Sequence, residues 1–497
     1  MISFNQISND NRVPLFYAEM DPSQANSGST QLRRLIIAPA NDDATGSQDL
    51  VIATQESEVR ALAGVGSPLA EAYAQWRKGD PMGEVWVLPV RMEGSAAVGK
   101  VAITGAATEP GVLCFYVGDD RIQVTIVNGM ASNAVGAALT SAINAKGLCV
   151  SAQSAVAGEV VEVSLTAKFK GLLGNDIRIG VNLRGAAGGE RTPAGLALAL
   201  TQPTQGAGAP DVDELLSKVG DAEFEFIFHT FTDPASLDSF KVWMDDVSGR
   251  WAWSKMLYGH AYTARRGTLG ELVTAGRDRN DQHHTVHGFE MQTSAPCWKV
   301  GAAYVARQAV FISADPARPT QTGELVGISP PPAGKQFTML ERQSLLWSGI
   351  ATSYSSVDAV RIERAITTYQ RNAWGQPDDS YLDSETMHQS AYIIRFLKGR
   401  ITSKYGRHKL ANDGTRFGDG QAIVTPSIIR NELIAAYMEL ESRGIVENEE
   451  AFREHLIVER DSSNPNRVNI LFPPDYVNQL RVVALLNQFR QQYPQSV

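Results

Sequence analysis

The spacing of apolar residues changes several times along the 497 positions, and each change marks a different kind of structure. Residues 32–38 (LRRLIIA) and 84–90 (EVWVLPV) are short apolar runs of the sort that buried strands show. Between them, residues 56–63 and 68–78 read as helices, the second with Pro68 near its start, where a missing N–H costs little. This β–α–β order predicts parallel strands joined by a helical crossover. From about residue 93 to 205 the period becomes two: Ile122, Val124 and Ile126 alternate with Gln123 and Thr125, and Ile177, Ile179, Val181 and Leu183 alternate with Arg178, Gly180 and Asn182. Residues 112–117 and 160–167 add further strands, with one Ala-rich helix near 131–144.

Gly-rich joints, AAGGERTPAG inside that stretch and TQPTQGAGAP at its end, punctuate it as an insertion into another domain. After Asp211 the α/β signature returns. Asp211 and Asp233 are placed to cap helices over 212–219 and 234–247 by accepting from free N–H groups. Strands are expected at 224–229, 255–260 and 285–290, and a helix near 298–312. Beyond a Pro-rich joint at 328–333, long helices are predicted at 384–405 and 426–442. Ile429, Leu433, Ala436, Tyr437 and Leu440 form the packing face of the second. Three strands are expected to close the chain, at 452–459, 467–472 and 477–490.

Near the other end, residues 12–20 (RVPLFYAEM) are strand-forming but isolated between polar stretches. One strand cannot pair its own backbone groups, so it must join a sheet in its own chain or in a neighbour's. Pro14 favours an edge position there. The fold class is therefore α/β, α+β overall, with five parts: an arm at 1–30, an α/β core at 31–92 and 206–338, an inserted β-rich domain at 93–205, an α+β domain at 339–476, and a second arm at 477–497.

Composition narrows the function classes. The chain is 43% hydrophobic and 20% charged, with mean hydropathy −0.17, which excludes a mainly disordered protein. No apolar run approaches the roughly 18 residues of a membrane helix, and the first residues lack the pattern of a secretory signal. Forty-five Lys+Arg against 54 Asp+Glu leave a net charge of −9, so no global basic footprint for nucleic acid exists. Cys114, Cys149 and Cys297 show no CxxC spacing and read as small buried hydrophobes in a reducing compartment, neither a disulfide framework nor a zinc site.

Candidate chemistry is sparse. Within the polar stretch 278–287, His283 and His287 have the i, i+4 spacing of paired helical metal ligands. No HExxH pattern is present, and the Asp, Asn and Gln around them favour a surface loop entering a strand, which should be dispensable. A Ser/His/Asp hydrolase is the other temptation, but no GxSxG elbow occurs and neither Ser294 nor Ser344 has strand–turn–helix surroundings. The Gly-rich stretches at 185–189 and 414–420 fit neither a P-loop nor a dinucleotide fingerprint. Basic residues at Arg33-Arg34, Arg265-Arg266 and Lys398, Arg400, Lys404, Arg407, Lys409 are read as solvated faces or protein contacts. With the acidic Glu447, Glu449, Glu450, Glu454 and Glu459 they would suit a self-associating subunit. No catalytic, cofactor-binding or metal-binding residue is assigned, and no enzyme is expected.

The stretches ISFNQISNDNRVPLFYAEMDPSQA, AEAYAQWRKGDPMGEVWVLPV, FKGLLGNDIRIGVNLRG, AYTARRGTLGELVTAGRDRND and RVNILFPPDYVNQLRVVALLNQFR, in that order, resemble the Mu-like contractile phage tail sheath proteins. The resemblance spans nearly the whole chain and rests on the combination rather than on any catalytic motif. It implies an α/β core of subtilisin-like shape without protease activity, outward-facing insertions, and arms that complete the sheets of neighbouring subunits. It implies a helical homo-oligomer around a tail tube, with baseplate and tail terminator proteins as further partners and neither nucleic acid nor direct membrane insertion. Such a sheath would be assembled in the bacterial host cytoplasm, would reside in the virion, and would contract to drive the tube through the host envelope for genome delivery.

The arm residues expected to be exchanged are Arg12, Val13, Leu15, Phe16, Tyr17, Ala18, Glu19 and Met20, and Leu480, Val482, Ala484, Leu486 and Phe489. The rival readings are a tube or baseplate component, the sheath of a genome-free phage-derived particle, and a serine hydrolase with an unrecognised triad.

Overall fold

The structure, a computed structural model, describes residues 32–492 apart from positions 159 and 419. Its centre is a six-stranded sheet in the order β13-β12-β11-β1-β3-β2. These strands are β1 (Arg34–Pro39), β2 (Val51–Ala53), β3 (Val85–Val90), β11 (Phe226–His229), β12 (His260–Gly267) and β13 (His284–Glu290). All neighbours run parallel except β2, which lies antiparallel along β3. The β1–α–β3 unit expected from residues 32–90 is present, with α1 (Glu56–Ala63) and α2 (Pro68–Gly79) between the strands. Pro68 opens α2, behind a Ser67 side chain that accepts from the Ala70 N–H.

Both faces of the sheet are covered, which is why its strands read as continuous apolar runs rather than alternating ones. Ile36, Val87, Phe226, Phe228 and Tyr262 pack on the side of α2 and α7 (Cys297–Ala314). Leu35, Ile37, Leu88 and Ile227 pack on the opposite side with Leu215, Leu216 and Phe240. The last three lie on α4 (Val212–Val219) and α5 (Pro234–Met244), capped by Asp211 and Asp233 as their sequences predict. Helix α7 approaches β11 so closely that a Cβ on Gly301 would sit 2.3 Å from the Phe228 ring. That helix has small residues because the sheet lies against its backbone.

Between β3 and α4 the chain forms separate antiparallel sheets. One has the order β10-β4-β8-β7, from β4 (Ala96–Gly105), β7 (Val150–Ala157), β8 (Val160–Lys170) and β10 (Leu196–Thr204). The other is β6-β5-β9, from β5 (Gly111–Val117), β6 (Asp120–Ile126) and β9 (Ile179–Val181), and α3 (Ser132–Lys146) packs between them. The strand expected over 177–183 is thus only three residues long. The two chain crossings of this module lie against each other: Ser95 bridges to Ala207, and a Cβ on Gly208 would fall 2.0 Å from the Glu93 carbonyl oxygen. Gly94 and Gly208 both have φ above +110°, a backbone that only glycine adopts cheaply.

Ionic contacts hold the module to the centre. Arg266 on β12 pairs with Asp176 at 2.7 Å, and Lys299 on α7 reaches Asp119 at 2.9 Å and Asp120 at 2.8 Å. Phe169 meets Trp298 edge-on at 5.8 Å.

The remainder carries α6 (Leu269–Arg277), α8 (Met339–Leu346) and the hairpin of β14 (Thr352–Ser355) and β15 (Val360–Arg364). After α9 (Ser384–Tyr405) come β16 (Lys409–Leu410), β17 (Ile423–Val424) and α10 (Pro426–Ser442). The chain closes with β18 (Val446–Glu447), α11 (Glu449–His455), β19 (Ile457–Arg460), β20 (Val468–Leu471) and β21 (Asp475–Tyr476). The face predicted on α10 is buried as expected, with Tyr437 stacked on Phe452 at 3.8 Å.

Two expectations fail. The strand placed at 255–260 begins only at His260, because residues 255–259 turn into it. Residues 452–459 are the end of helix α11 followed by β19, not one strand. Residues 477–490 form no ladder with any described residue.

Candidate assembly interface

Beyond β21 the chain leaves the body in a defined way. Tyr476 pairs with Val446, and its hydroxyl lies 2.9 Å from Ser390 Oγ. Gln479 donates to the Ala317 carbonyl at 3.2 Å, and Gln321 donates to the Leu480 carbonyl at 3.1 Å. Arg481 then donates to Asp383 Oδ1 at 3.0 Å and sits 3.3 Å from Glu385 Oε1. Glu385 is fully buried and also accepts the Thr320 N–H and hydroxyl, at 3.0 and 2.8 Å. Asp383 is engaged by Arg364 through both carboxylate oxygens as well. Arg481 therefore closes a charged clamp.

Past the clamp the apolar side chains are bare. Val482, Val483, Leu485, Leu486 and Phe489 are between 77% and 87% exposed, and Ala484 is exposed with them. Val482, Ala484 and Leu486 would fall on one side of an extended chain, and Val483 and Leu485 on the other. Apolar residues on both sides suit a strand covered on both faces. No described residue pairs with this backbone. Of the expected exchange residues, Leu480 belongs to the clamp, whereas Val482, Ala484, Leu486 and Phe489 lie on the bare segment. Arg12 to Met20 lie outside the described residues. Sequence reasoning missed Arg481, Asp383 and Glu385; an arginine interrupting an apolar run was the available signal.

A second bare feature lies in the same part of the chain. Strands β19 and β20 form a two-stranded antiparallel sheet, Ile457 opposite Leu471 and Arg460 opposite Val468. Among the described residues neither outer edge is paired. Val458 and Phe472 pack on the α10 core, Ile457 and Leu471 lie on the other face about half exposed, and Ile470, opposite Val458, is 43% exposed. Two strands alone are marginal in water, and open edges of this kind template a further strand.

The polar stretch at 278–287 is not the surface loop that its composition suggests. His283, His284 and His287 are buried, the last two on the edge strand β13 of the central sheet. His287 Nε2 lies 3.0 Å from Ser353 Oγ with its ring stacked on Tyr304, and His283 Nε2 lies 2.9 Å from Asp246. Five extended residues set the two rings roughly 13 Å apart, too far to share an ion. Among the described residues no group of three His, Cys, Asp or Glu is placed to hold a metal.

The basic and acidic runs are partly spent within the chain. Arg400 pairs with Glu432 and Glu439, Lys404 with Glu432 at 2.7 Å, and Arg453 with Glu449 at 2.5 Å. Helix α9 is tied to the central sheet through Glu225, which contacts His388 Nδ1 and Arg395, the latter at 2.6 Å. Burial pushes the Glu225 carboxyl up, but Arg395 and His388 outweigh it and hold the group at about 2. Tyr262 OH lies 2.7 Å from His388 Nε2. This chain of groups resembles a catalytic relay but is wholly buried, so it works as a fastening.

The chain has relatives among known proteins. Residues 205–368 match the model of the phage tail sheath protein central domain, and residues 376–490 that of the phage tail sheath C-terminal domain. The Mu-like prophage FluMu tail sheath protein of Haemophilus influenzae is 37% identical over 494 residues, which is 98% of this chain and 99% of that protein. Among solved structures, the sheath tail protein of Desulfitobacterium hafniense superposes with TM-score 0.48 at 11% identity, covering 95% of this chain and 97% of that one. The sheath tail protein of Listeria innocua gives 0.46 at 13% identity over 90% of this chain and 93% of its own.

Proposed function

The chain belongs to the phage tail sheath protein family, and from that premise we propose that it is the repeating subunit of a contractile tail sheath whose copies are held together by exchanged terminal strands. The observation that carries the strand exchange is the segment after Arg481: an exposed run, apolar on both sides, with no ladder to any described residue. Burying each large apolar side chain contributes roughly 1.5–3 kcal/mol, so covering five of them on another copy would be a strong drive to assembly. The β19–β20 sheet, with both outer edges unpaired among the described residues and Ile457 and Leu471 exposed on its outer face, is the recipient.

Strand addition through backbone hydrogen bonds joins two different surfaces, and such a heterologous contact generates open helical polymers. Residues 12–20 serve as the second donated strand. The polymer surrounds a tail tube and ends on baseplate and terminator proteins. It is assembled in the host cytoplasm and carried in the virion. Contraction is a switch between two packings of the same subunits, with the arms intact, and it drives the tube through the host envelope to deliver a genome. The subunit's role is structural, and the buried Glu225–His388–Tyr262 chain gives no substrate access to a reacting group.

Removal of residues 482–497, or of residues 1–20, tests this reading. Negative-stain electron microscopy of each variant, purified with its tail tube, is expected to show bare tubes where the full chain gives a sheathed one. Normal sheaths from either truncated chain would refute the arm assignment.

A further inference from the structure

A cleft of about 350 Å³ opens at the carboxyl ends of β11 and β12, where the inserted module meets the central sheet. It continues into a wider groove of about 840 Å³ beside α5 and α6, sharing Leu172, Thr232 and Arg265 with it. Open α/β sheets bind ligands outside the carboxyl ends of their strands. Met92, Leu172 and Phe231 supply an apolar wall.

The polar lining is balanced in formal charge but not in hydrogen bonding. Three guanidinium groups line the cleft, Arg178, Arg265 and Arg266, with the carboxylates Asp176, Asp233 and Glu271. Arg266 and Asp176 satisfy one another at 2.7 Å. Asp233 accepts from the Ser236 N–H at the start of α5, and Glu271 is turned onto Thr268 at the start of α6. Arg265 donates to a carbonyl, that of Thr232, at 3.3 Å. Arg178 is half-buried and makes no side-chain hydrogen bond or ion pair among the described residues. Burial, with Arg266 nearby, pulls its pKa down. The Thr230 hydroxyl, on a residue only 3% exposed, also lines the cleft without a partner.

A buried hydroxyl without an acceptor is costly, and the guanidinium groups beside Thr230 carry none to offer it. We propose that this cleft is a binding site for a small oxyanion, a phosphate or a carboxylate, held by Arg178 and Arg265 with Thr230 donating its hydroxyl. The ligand would accept from donors that the carboxylates of the lining, engaged elsewhere, leave unpaired at the junction of module and core. This site is separate from the arms and does not rest on their exchange.

Thermal melts of the full chain in phosphate and in glutarate, against chloride at matched ionic strength, test the site. A saturable rise in Tm is expected for the wild type, because a ligand of the folded state stabilises it by mass action. In Arg178→Gln the anion concentration needed should rise about tenfold, the loss of one charge-assisted contact. Thr230→Val, close in shape, should weaken binding less. Each variant's melt in chloride is its own baseline, so a less stable variant still reports binding. A response to phosphate points to the free ion as the occupant, and one to glutarate alone points to an acidic side chain of another copy. No response to either anion, or an equal response in the wild type and both variants, overturns the proposal.

Discussion

His287 shows how burial, rather than exposure, decides what a polar residue does here. It and His284 are enclosed in β13, and burial lowers both pKa values to about 3; His229 and His260 are lowered well below their usual value for the same first reason. Each is neutral when folded and ionises near 6.5 when unfolded. The unfolded state therefore binds more protons below pH 6.5, and stability falls as pH drops through that window toward the folded value, by about 1.4 kcal/mol per pH unit per group. Glu71, raised by burial to about 7, works in the opposite sense between its unfolded value and pH 7. In His287→Gln the decline of Tm between pH 6.5 and 5 should be shallower than in the wild type by one group's share. An identical slope in both would mean that His287 does not titrate on unfolding. The sequence misplaced these histidines because a polar residue is legible as buried only through its partners, and Ser353, Tyr304 and Asp246 lie far off in sequence.

At the scale of elements, most of what local chemistry dictates was legible. Asp211, Asp233 and Pro68 mark helix starts because the cap and the missing N–H act within one turn. Helix α11 was not legible: its seven residues are followed at once by Leu456, Ile457 and Val458, and the apolar run hid the change of period. The closeness of α7 to β11 is likewise invisible without the fold. Gly301→Ala should cost about 1–3 kcal/mol by overpacking, read as a lower denaturation midpoint. An unchanged midpoint would mean that the helix has room to move. The arm is a different case. Val482→Pro removes one backbone donor at an exposed site with no ladder of its own, so the monomer should melt as the wild type does while sheath assembly fails. Normal assembly would argue against a strand paired on both sides at that position.

On the scale of the whole molecule, the composition and the absence of a sharp catalytic motif left the sequence silent about chemistry, and the resemblance to tail sheaths carried the function. The structure adds an anchored root and a bare tip: Arg481 clamped by Asp383 and Glu385, then an apolar segment without cover. On the proposed reading the clamp fixes the body while the segment beyond it joins another copy, and the β19–β20 sheet, whose outer edges are unpaired among the described residues, receives it. Cross-linking between copies tests this directly. Cys114, Cys149 and Cys297 are buried, so introduced thiols report with little background. Chains carrying Val483→Cys or Leu485→Cys on the arm are mixed with chains carrying Ile457→Cys or Ile470→Cys on the hairpin, then assembled and oxidised. Disulfide-linked heterodimers from at least one of the four pairings are the expected result. Assembled sheaths that yield none from any pairing would contradict exchange of this arm onto this sheet.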